Sequence, residues 1–401
     1  MLIVQKFGGS SVADAAKIVR VAGIIADAYC EGNDMVVVLS AQGDTTDDLL
    51  EKAAEINPHP SKRELDVLLS TGEQISVALM SMALEKMGLP VVSLTGWQVQ
   101  VSTNFDYGNA RIRSVSTDRM RQELDKRRIV IVTGFQGVNG TGDVTTLGRG
   151  GSDTSAVAIA AALHADKCQI FTDVEGVFTA DPRKVQGAKK LDEITYDEMM
   201  ELASLGAQVL HNRSVEMAKR YGVNLEVLSS YERKPGTKVK EVVKNVEQMK
   251  ISGIAKDNNV ARIAVVGVPD EPGVAFKLFR VLANSNVNVD IILQSIDRNG
   301  TNDISFTVSE SDFDKAMELM EERKSTLGFT EIFGDKKVAK VSIVGAGMLS
   351  SSGVAATMFE ALSEAKINIQ MISTSEIKVS VLIDESNADK AVQVIHNKFF
   401  N

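Results

Sequence analysis

The chain has 401 residues, 44% hydrophobic and 24% charged, near globular averages and enough for two or three domains with real cores. A net charge of −9 at pH 7 and a pI of about 5.2 give a nucleic-acid partner no electrostatic support. Its two cysteines, Cys30 and Cys168, make neither a disulfide framework nor a metal-ligand spacing, which fits a reducing cytoplasm.

The first residues, MLIVQKFGGSS, have a short apolar stretch and no small-residue cleavage pattern, so no signal peptide is expected. The longest low-charge run, 154–165, is too short to span a bilayer and carries His164, so no membrane partner is expected either. Strands are predicted at 2–7, 35–40, 90–94, 129–133, 169–172 and 225–229, with helical stretches between. Runs such as MVVVLS and RIVIVTGF, apolar on both faces, mark strands buried in a mostly parallel sheet. Between the first two strands Val12, Ala15, Val19, Ala22 and Ala26 recur at helical spacing, and Ser11-x-x-Asp14 resembles a capping box. The alternation predicts an open α/β sandwich over residues 1–230. Residues 231–250, a Pro-Gly turn followed by a charged stretch, read as a linker.

Beyond the linker is an internal repeat. The segments 262–295 and 340–375 align at a separation of 80, matching Gly273 with Gly353, Phe279 with Phe359, Leu282 with Leu362 and Asn288 with Asn368. Each copy reads strand, tight loop, helix, strand, then another strand and helix, so one supersecondary unit is duplicated over 251–335 and 336–401.

Two turns carry the chemistry. Lys6-Phe7-Gly8-Gly9-Ser10-Ser11 lies where a strand passes into a helix: glycines admit an anion to the backbone, helix N–H groups are unpaired, and the lysine adds positive charge. It is no Walker A sequence, and an ordinary strand–helix turn explains it equally well in isolation. Gly148-Arg149-Gly150-Gly151-Ser152-Asp153-Thr154 precedes an alanine-rich helix, where N–H groups and a guanidinium fork suit a phosphate or carboxylate. Asp153 there also fits a simple first-turn helix carboxylate. Two such turns on one sheet point to phosphoryl transfer. Thr172-Asp173 ends a strand before Phe178, Thr179, Asp181, Pro182 and Arg183, a stretch suited to a nucleotide or to a surface loop. Ser40 to Asp47 reads as a hydroxyl-rich site loop or a capped helix start, Gly134 to Gly137 follows a strand end, and Glu73 begins an apolar helix, where a first-turn dipole residue explains it equally well. The four histidines are scattered, with no ligand pairing.

Taken in order, KFGGSS, SAQGDTTD, STGEQIS, GFQGV, TTLGRGGSDTSA, TDVEGVFTADPR and GAQVLH resemble the aspartate kinases of the amino-acid kinase superfamily, over the whole chain. The repeat resembles their pair of ACT domains, each a βαββαβ unit, and the length resembles the monofunctional members. The resemblance implies a cytoplasmic enzyme that phosphorylates the β-carboxylate of L-aspartate with ATP and Mg2+, in lysine, threonine and methionine biosynthesis. Lys6 would contact the transferred phosphoryl group with Phe7, Gly8 and Gly9, and Asp153 would organise the site. Glu73 would take the substrate ammonium and Arg149 a substrate carboxylate. Thr45, Thr46, Phe135, Gly150, Gly151 and Ser152 would line the aspartate pocket. Ser40, Thr172, Asp173, Phe178, Thr179, Asp181, Pro182 and Arg183 would surround ATP; no all-protein metal site is implied. Lysine, threonine or both would inhibit at the repeats, through Asp270, Pro272, Gly273, Val274, Asn288, Asp290 and Gln294 in the first copy. Gly353, Val354, Asn368, Ile369, Ser375 and Glu376 would serve in the second. A homodimer through the repeats is implied, with a separate small subunit started near Met249 left open. Gln208 stands where many relatives carry lysine, and Gln42 where they carry methionine or serine. Two alternatives stay open at this point: another amino-acid kinase, and a non-catalytic amino-acid sensor.

Overall fold

The computed structural model describes residues 1–205, 209–243, 251–295, 300–349 and 351–400, the side chain of Leu349 excepted; Gln208 and Met249 lie outside these. Two units result, one of Met1–Phe178 with Lys190–Asn245, the other of Thr179–Lys189 with Val246–Asn401.

The first unit runs β1 (Leu2–Phe7), α1 (Ala15–Cys30), β2 (Asp34–Leu39), α2 (Thr45–Ile56), α3 (Lys62–Lys86), β3 (Val91–Leu94), β4 (Val101–Thr103), β5 (Ile112–Val115), α4 (Asp118–Leu124), β6 (Ile129–Thr133), β7 (Gln136–Val138), β8 (Val144–Thr146) and α5 (Gly151–Leu163). It continues with β9 (Lys167–Thr172), β10 (Glu193–Thr195), α6 (Tyr196–Ser204), α7 (Asn212–Tyr221), β11 (Leu225–Ser229) and β12 (Thr237–Lys240). Eight strands form one sheet in the order β10-β12-β11-β9-β1-β2-β6-β3, parallel from β11 to β3. The apolar runs read as strands fill its centre: β2 and β6 are buried on both faces, as a helix-covered parallel sheet requires. A smaller sheet, β5-β4-β7-β8, lies beside it. β12 arises within the segment read as a linker, because the Pro-Gly turn folds Thr237 and Val239 back as an antiparallel partner of β11.

Three sequence expectations shift. The buried face of α1 is Ile18, Val21, Ala22 and Ile25, while Val19 is 56% exposed. Its cap is Asp14, whose side chain accepts from Lys17 N at 2.9 Å; Ser11 instead bonds Ser230 Oγ at 2.8 Å. Glu73 does not open a helix: α3 starts eleven residues earlier on the Ser61 cap, so a first-turn dipole role is excluded. By length and composition α3 could cross a membrane, with mean hydropathy 1.4 over its most apolar window, half of which is buried inside the protein.

The second unit runs β13 (Gly253–Asp257), β14 (Ala261–Pro269), α8 (Val274–Asn284), β15 (Val289–Gln294), β16 (Thr301–Val308), α9 (Phe313–Leu327), β17 (Glu331–Asp335), β18 (Val338–Val344), α10 (Val354–Glu364), β19 (Met371–Thr374), β20 (Lys378–Asp384) and α11 (Ala388–Phe400). The duplication is real in three dimensions: α8 and α10 start at equivalent positions, behind Gly273 (φ 95°) and Gly353 (φ 86°). Two antiparallel sheets result, β15-β16-β14-β17 and β13-β18-β20-β19. β13 opens the stretch 251–335 expected as the first repeat yet completes the second repeat's sheet, in register from Gly253 opposite Val344 to Asp257 opposite Lys340. Ala180 and Val185, from the 179–189 excursion, join the second repeat's core of Val341, Ile343, Met358, Val392 and Ile395.

Candidate active site

Every expected site turn of the first unit lies at the carboxyl end of a sheet strand or just beyond one. The chain builds the sheet from β1 toward β2, β6 and β3, then returns to the other side of β1 with β9, so the strand order reverses at β1. Ligands of open α/β sheets collect at such a reversal. Backbone bonds hold the strand ends together: Ser40 N donates to Phe7 O at 3.2 Å, Gly43 N to Gly9 O at 3.1 Å and Gly134 N to Leu39 O at 2.9 Å. A Cβ on Gly9 would sit 2.6 Å from Ala41 O, so only glycine lets the two loops lie this close. The Gly-Gly turn passes into one 3-10 turn, Gly9–Ser11, and α1 begins only at Ala15.

Lys6 Nζ pairs with Asp153 Oδ1 at 2.6 Å, with both side chains largely buried. Gly8 lies against the lysine: a Cβ there would meet Nζ at 3.4 Å, an ordinary contact distance. Asp153 sits in the first turn of α5, so the expected first-turn position and the expected organising position are one residue. Arg149 is exposed and makes no ion pair among the described residues. Gly150 caps α5 at φ 66°, and a Cβ there would fall 2.2 Å from the His211 ring; the left-handed backbone and the imidazole both demand glycine. His211 is thus a site neighbour that the scattered histidines concealed. Burial holds its pKa below the ordinary value.

Glu73 is 3% exposed. Its Oε1 accepts from Ala41 N at 3.1 Å, while Oε2 is buried with no partner. Burial raises its pKa from 4.5 to about 8. No cation pairs with Glu73 among the described residues.

Around these lie the other expected residues. Phe135, between β6 and β7, holds φ 66°, unusual for a bulky residue, and its N–H donates to Ser155 Oγ of α5 at 3.1 Å. Gly151 packs under its ring, and Ser152 is buried in the first turn of α5. Thr45 and Thr46 start α2, the Thr45 hydroxyl donating to Gln42 O at 2.6 Å. Phe7 stacks on Phe171 at 4.5 Å. The Thr172 hydroxyl donates to Asp173 at 2.9 Å, and Phe178 bridges to Lys190. Thr179, Asp181, Pro182 and Arg183 belong to the second unit. There Thr179 is buried against His396 Nε2 at 2.9 Å, and Asp181 pairs with Arg183 at 3.0 Å, which holds the carboxyl below its usual range.

In the repeats Asp290, Ile292 and Gln294 alternate onto the exposed face of β15, with Asn288 exposed just before it. Asp290 Oδ2 already meets an ammonium, that of Lys340 at 2.5 Å; Lys340 is 7% exposed and lies 3.6 Å from Asp257. Asp270 accepts from Asn302 at 2.8 Å, while Pro272 is exposed before the Gly273–Val274 helix start. Gly353, Asn368, Ser375 and Glu376 are exposed, Val354 is buried and Ile369 packs on the core.

Comparison with known proteins places this arrangement. Residues 1–229 match the amino acid kinase family, and residues 263–323 and 341–399 match the ACT domain. An aspartokinase of Mycolicibacterium smegmatis is 51% identical over 99% of this chain and 96% of its own length. An aspartate kinase of Pseudomonas putida is 50% identical over 99% and 97%. Escherichia coli aspartokinase III in complex with aspartate and ADP superposes with a TM-score of 0.84 at 27% identity, each chain fully covered. Its complex with lysine and aspartate superposes at 0.76 and 28%, again with full coverage. The chain belongs to the amino acid kinase family, in its aspartokinase branch with ACT domains.

Proposed function

We infer that the chain transfers the γ-phosphoryl group of ATP to the β-carboxylate of L-aspartate, giving 4-phospho-L-aspartate and ADP, under control of an amino acid bound at the ACT repeats. The observation that carries the substrate is the orphaned buried oxygen of Glu73, a place for an α-ammonium. Arg149, exposed and in no ion pair among the described residues, beside the α5 start, takes the α-carboxylate. The β-carboxylate is ionised at neutral pH and needs no base. One of its oxygens bonds to the γ-phosphorus as the bond to the β–γ bridging oxygen breaks, and ADP leaves with the electron pair. Two anions must approach each other, so Lys6, the Gly8–Gly9 amides and the α5 N-terminus neutralise and position. Asp153 holds the Lys6 ammonium in place. Magnesium carried on the ATP phosphates would shield their charge.

The finer reading is feedback by lysine, threonine or both, in a cytoplasmic enzyme that commits aspartate to their synthesis. The lysine in the E. coli complex supports it. Exposed edge strands β15 and β19, with Ile292 and Ile372 at equivalent positions, support a homodimer through the repeats. Aspartate-dependent ADP release, measured with and without lysine and threonine at millimolar concentration, tests both halves. No turnover of aspartate refutes the reaction; indifference to both amino acids, alone and mixed, refutes the sensing.

A further inference from the structure

Two charged side chains outside the expected catalytic set, Asp66 buried and Arg213 half-buried, converge on the segment that delivers Arg149. Asp66 lies on α3 two turns before Glu73, and therefore on the same helix face. It is 1% exposed. Its Oδ2 accepts from Gly108 N at 3.0 Å and Thr146 N at 2.9 Å, and its Oδ1 accepts from the Thr146 hydroxyl at 2.7 Å. Arg213 of α7 grips the same two stretches by their acceptors: Leu147 O at 2.6 Å, Ala110 O at 3.0 Å and Asn109 Oδ1 at 3.3 Å. Ala110 N donates to Thr146 O at 2.9 Å, which ties the stretches to each other. Gly148 and Arg149 follow without a break.

Among the described residues neither group forms a direct ion pair; their hydrogen bonds go to loop backbone and loop polar groups. Burial works against both ionised forms, raising the Asp66 pKa and lowering that of Arg213. Removing a charge from water is costly unless hydrogen bonds satisfy it, and these two are satisfied by one short segment, through its donors and through its acceptors.

We propose that Asp66 and Arg213 are positioning residues for Arg149. Helix α3, which carries both Asp66 and Glu73, thereby sets the spacing between the group that takes a substrate's α-ammonium and the group that takes its α-carboxylate. The proposal rests on the roles of Glu73 and Arg149 given above. Its consequence is selectivity for a short amino acid bearing both groups.

The full chain is assayed with aspartate, with 3-aminopropanoate (aspartate without its α-carboxylate) and with succinate (aspartate without its ammonium). Where turnover is too slow, the analogues are read as competitive inhibitors. In Asp66→Ala the preference for aspartate over 3-aminopropanoate falls about tenfold or more, while the preference over succinate and the KM for ATP stay within about threefold. Asp66→Asn restores the wild-type pattern, because an amide oxygen can take both N–H bonds and the amide nitrogen can donate to the threonine hydroxyl. Arg213→Gln shifts the same preference as Asp66→Ala and carries the test if Asp66→Ala does not fold. A wild type that does not distinguish aspartate from the analogues overturns the Glu73–Arg149 reading and the proposal with it. A wild type that does, with folded variants losing both preferences alike or neither, overturns the proposal alone.

Discussion

Raising the pH from 6 to 8 should raise kcat/KM for aspartate about fifty-fold, because the ionised fraction of a carboxyl with a pKa about 8 goes from roughly 1% to roughly one-half. Neither the ammonium nor the carboxylates of aspartate titrate in that window. The pKa is raised by burial, against the Ala41 N–H bond that favours the anion. Once the substrate ammonium is bound, the anion has its partner, so kcat and the KM for ATP should stay nearly flat. Glu73→Gln should remove the rise and lower kcat/KM for aspartate at pH 8 by roughly 10²–10³. Stability gives an independent reading. A carboxyl whose folded pKa lies above its unfolded value favours folding below pH 4.5, and that support is lost as pH rises through about 8. Moving from 4.5 to about 8 corresponds to on the order of 5 kcal/mol, so Glu73→Gln should melt higher than wild type at pH 9 and lose that advantage at pH 5. Matched steady-state profiles and thermal melts of the two proteins decide the matter. A wild-type kcat/KM that is flat from pH 6 to 8, with parallel melting curves, would refute the reasoning.

Three further outcomes are expected. Lys6→Ala should lower kcat by roughly 10²–10³ with the far-ultraviolet spectrum unchanged; a near-normal kcat removes Lys6 from the mechanism. Gly150→Ala should cost several kcal/mol or abolish soluble expression, since it meets both a positive φ and the His211 ring; wild-type melting would contradict the cap geometry. Asp290→Ala should relieve amino-acid inhibition while leaving uninhibited kcat within about threefold, and unchanged inhibition would move the effector away from β15.

The sheet was legible because its strands are continuous apolar runs. Those expected at 2–7, 129–133 and 225–229 appear within those bounds. Helix faces were less so: in α1 alanine and valine occur all round, and a slip of one position moves Val19 between core and solvent. The start of α3 was signalled by Ser61-x-x-Glu64 but lay behind two prolines, so Glu73 was set at a helix start and not mid-helix. Lys6, Asp153 and Arg149 could be found because glycines punctuate their turns. Asp66, Arg213 and His211 could not, for each acts on residues far away in sequence. The same is true of Thr179 with His396 and of Lys340 with Asp290: local sequence carries propensity, but no trace of a partner brought close by folding.

β13 has a bearing on assembly. The strand that finishes the second ACT sheet leaves the ribosome before any strand of the first repeat's own sheet, and its partner β18 comes only after that sheet's last strand. Closing so long a loop is slow, and until it closes β13 waits as an unpaired edge. The regulatory half should therefore fold as one knit piece and not as two beads. A shorter polypeptide meant to stand alone as a regulatory subunit must begin upstream of Gly253, or β18 is left with an open edge that recruits whatever strand it meets.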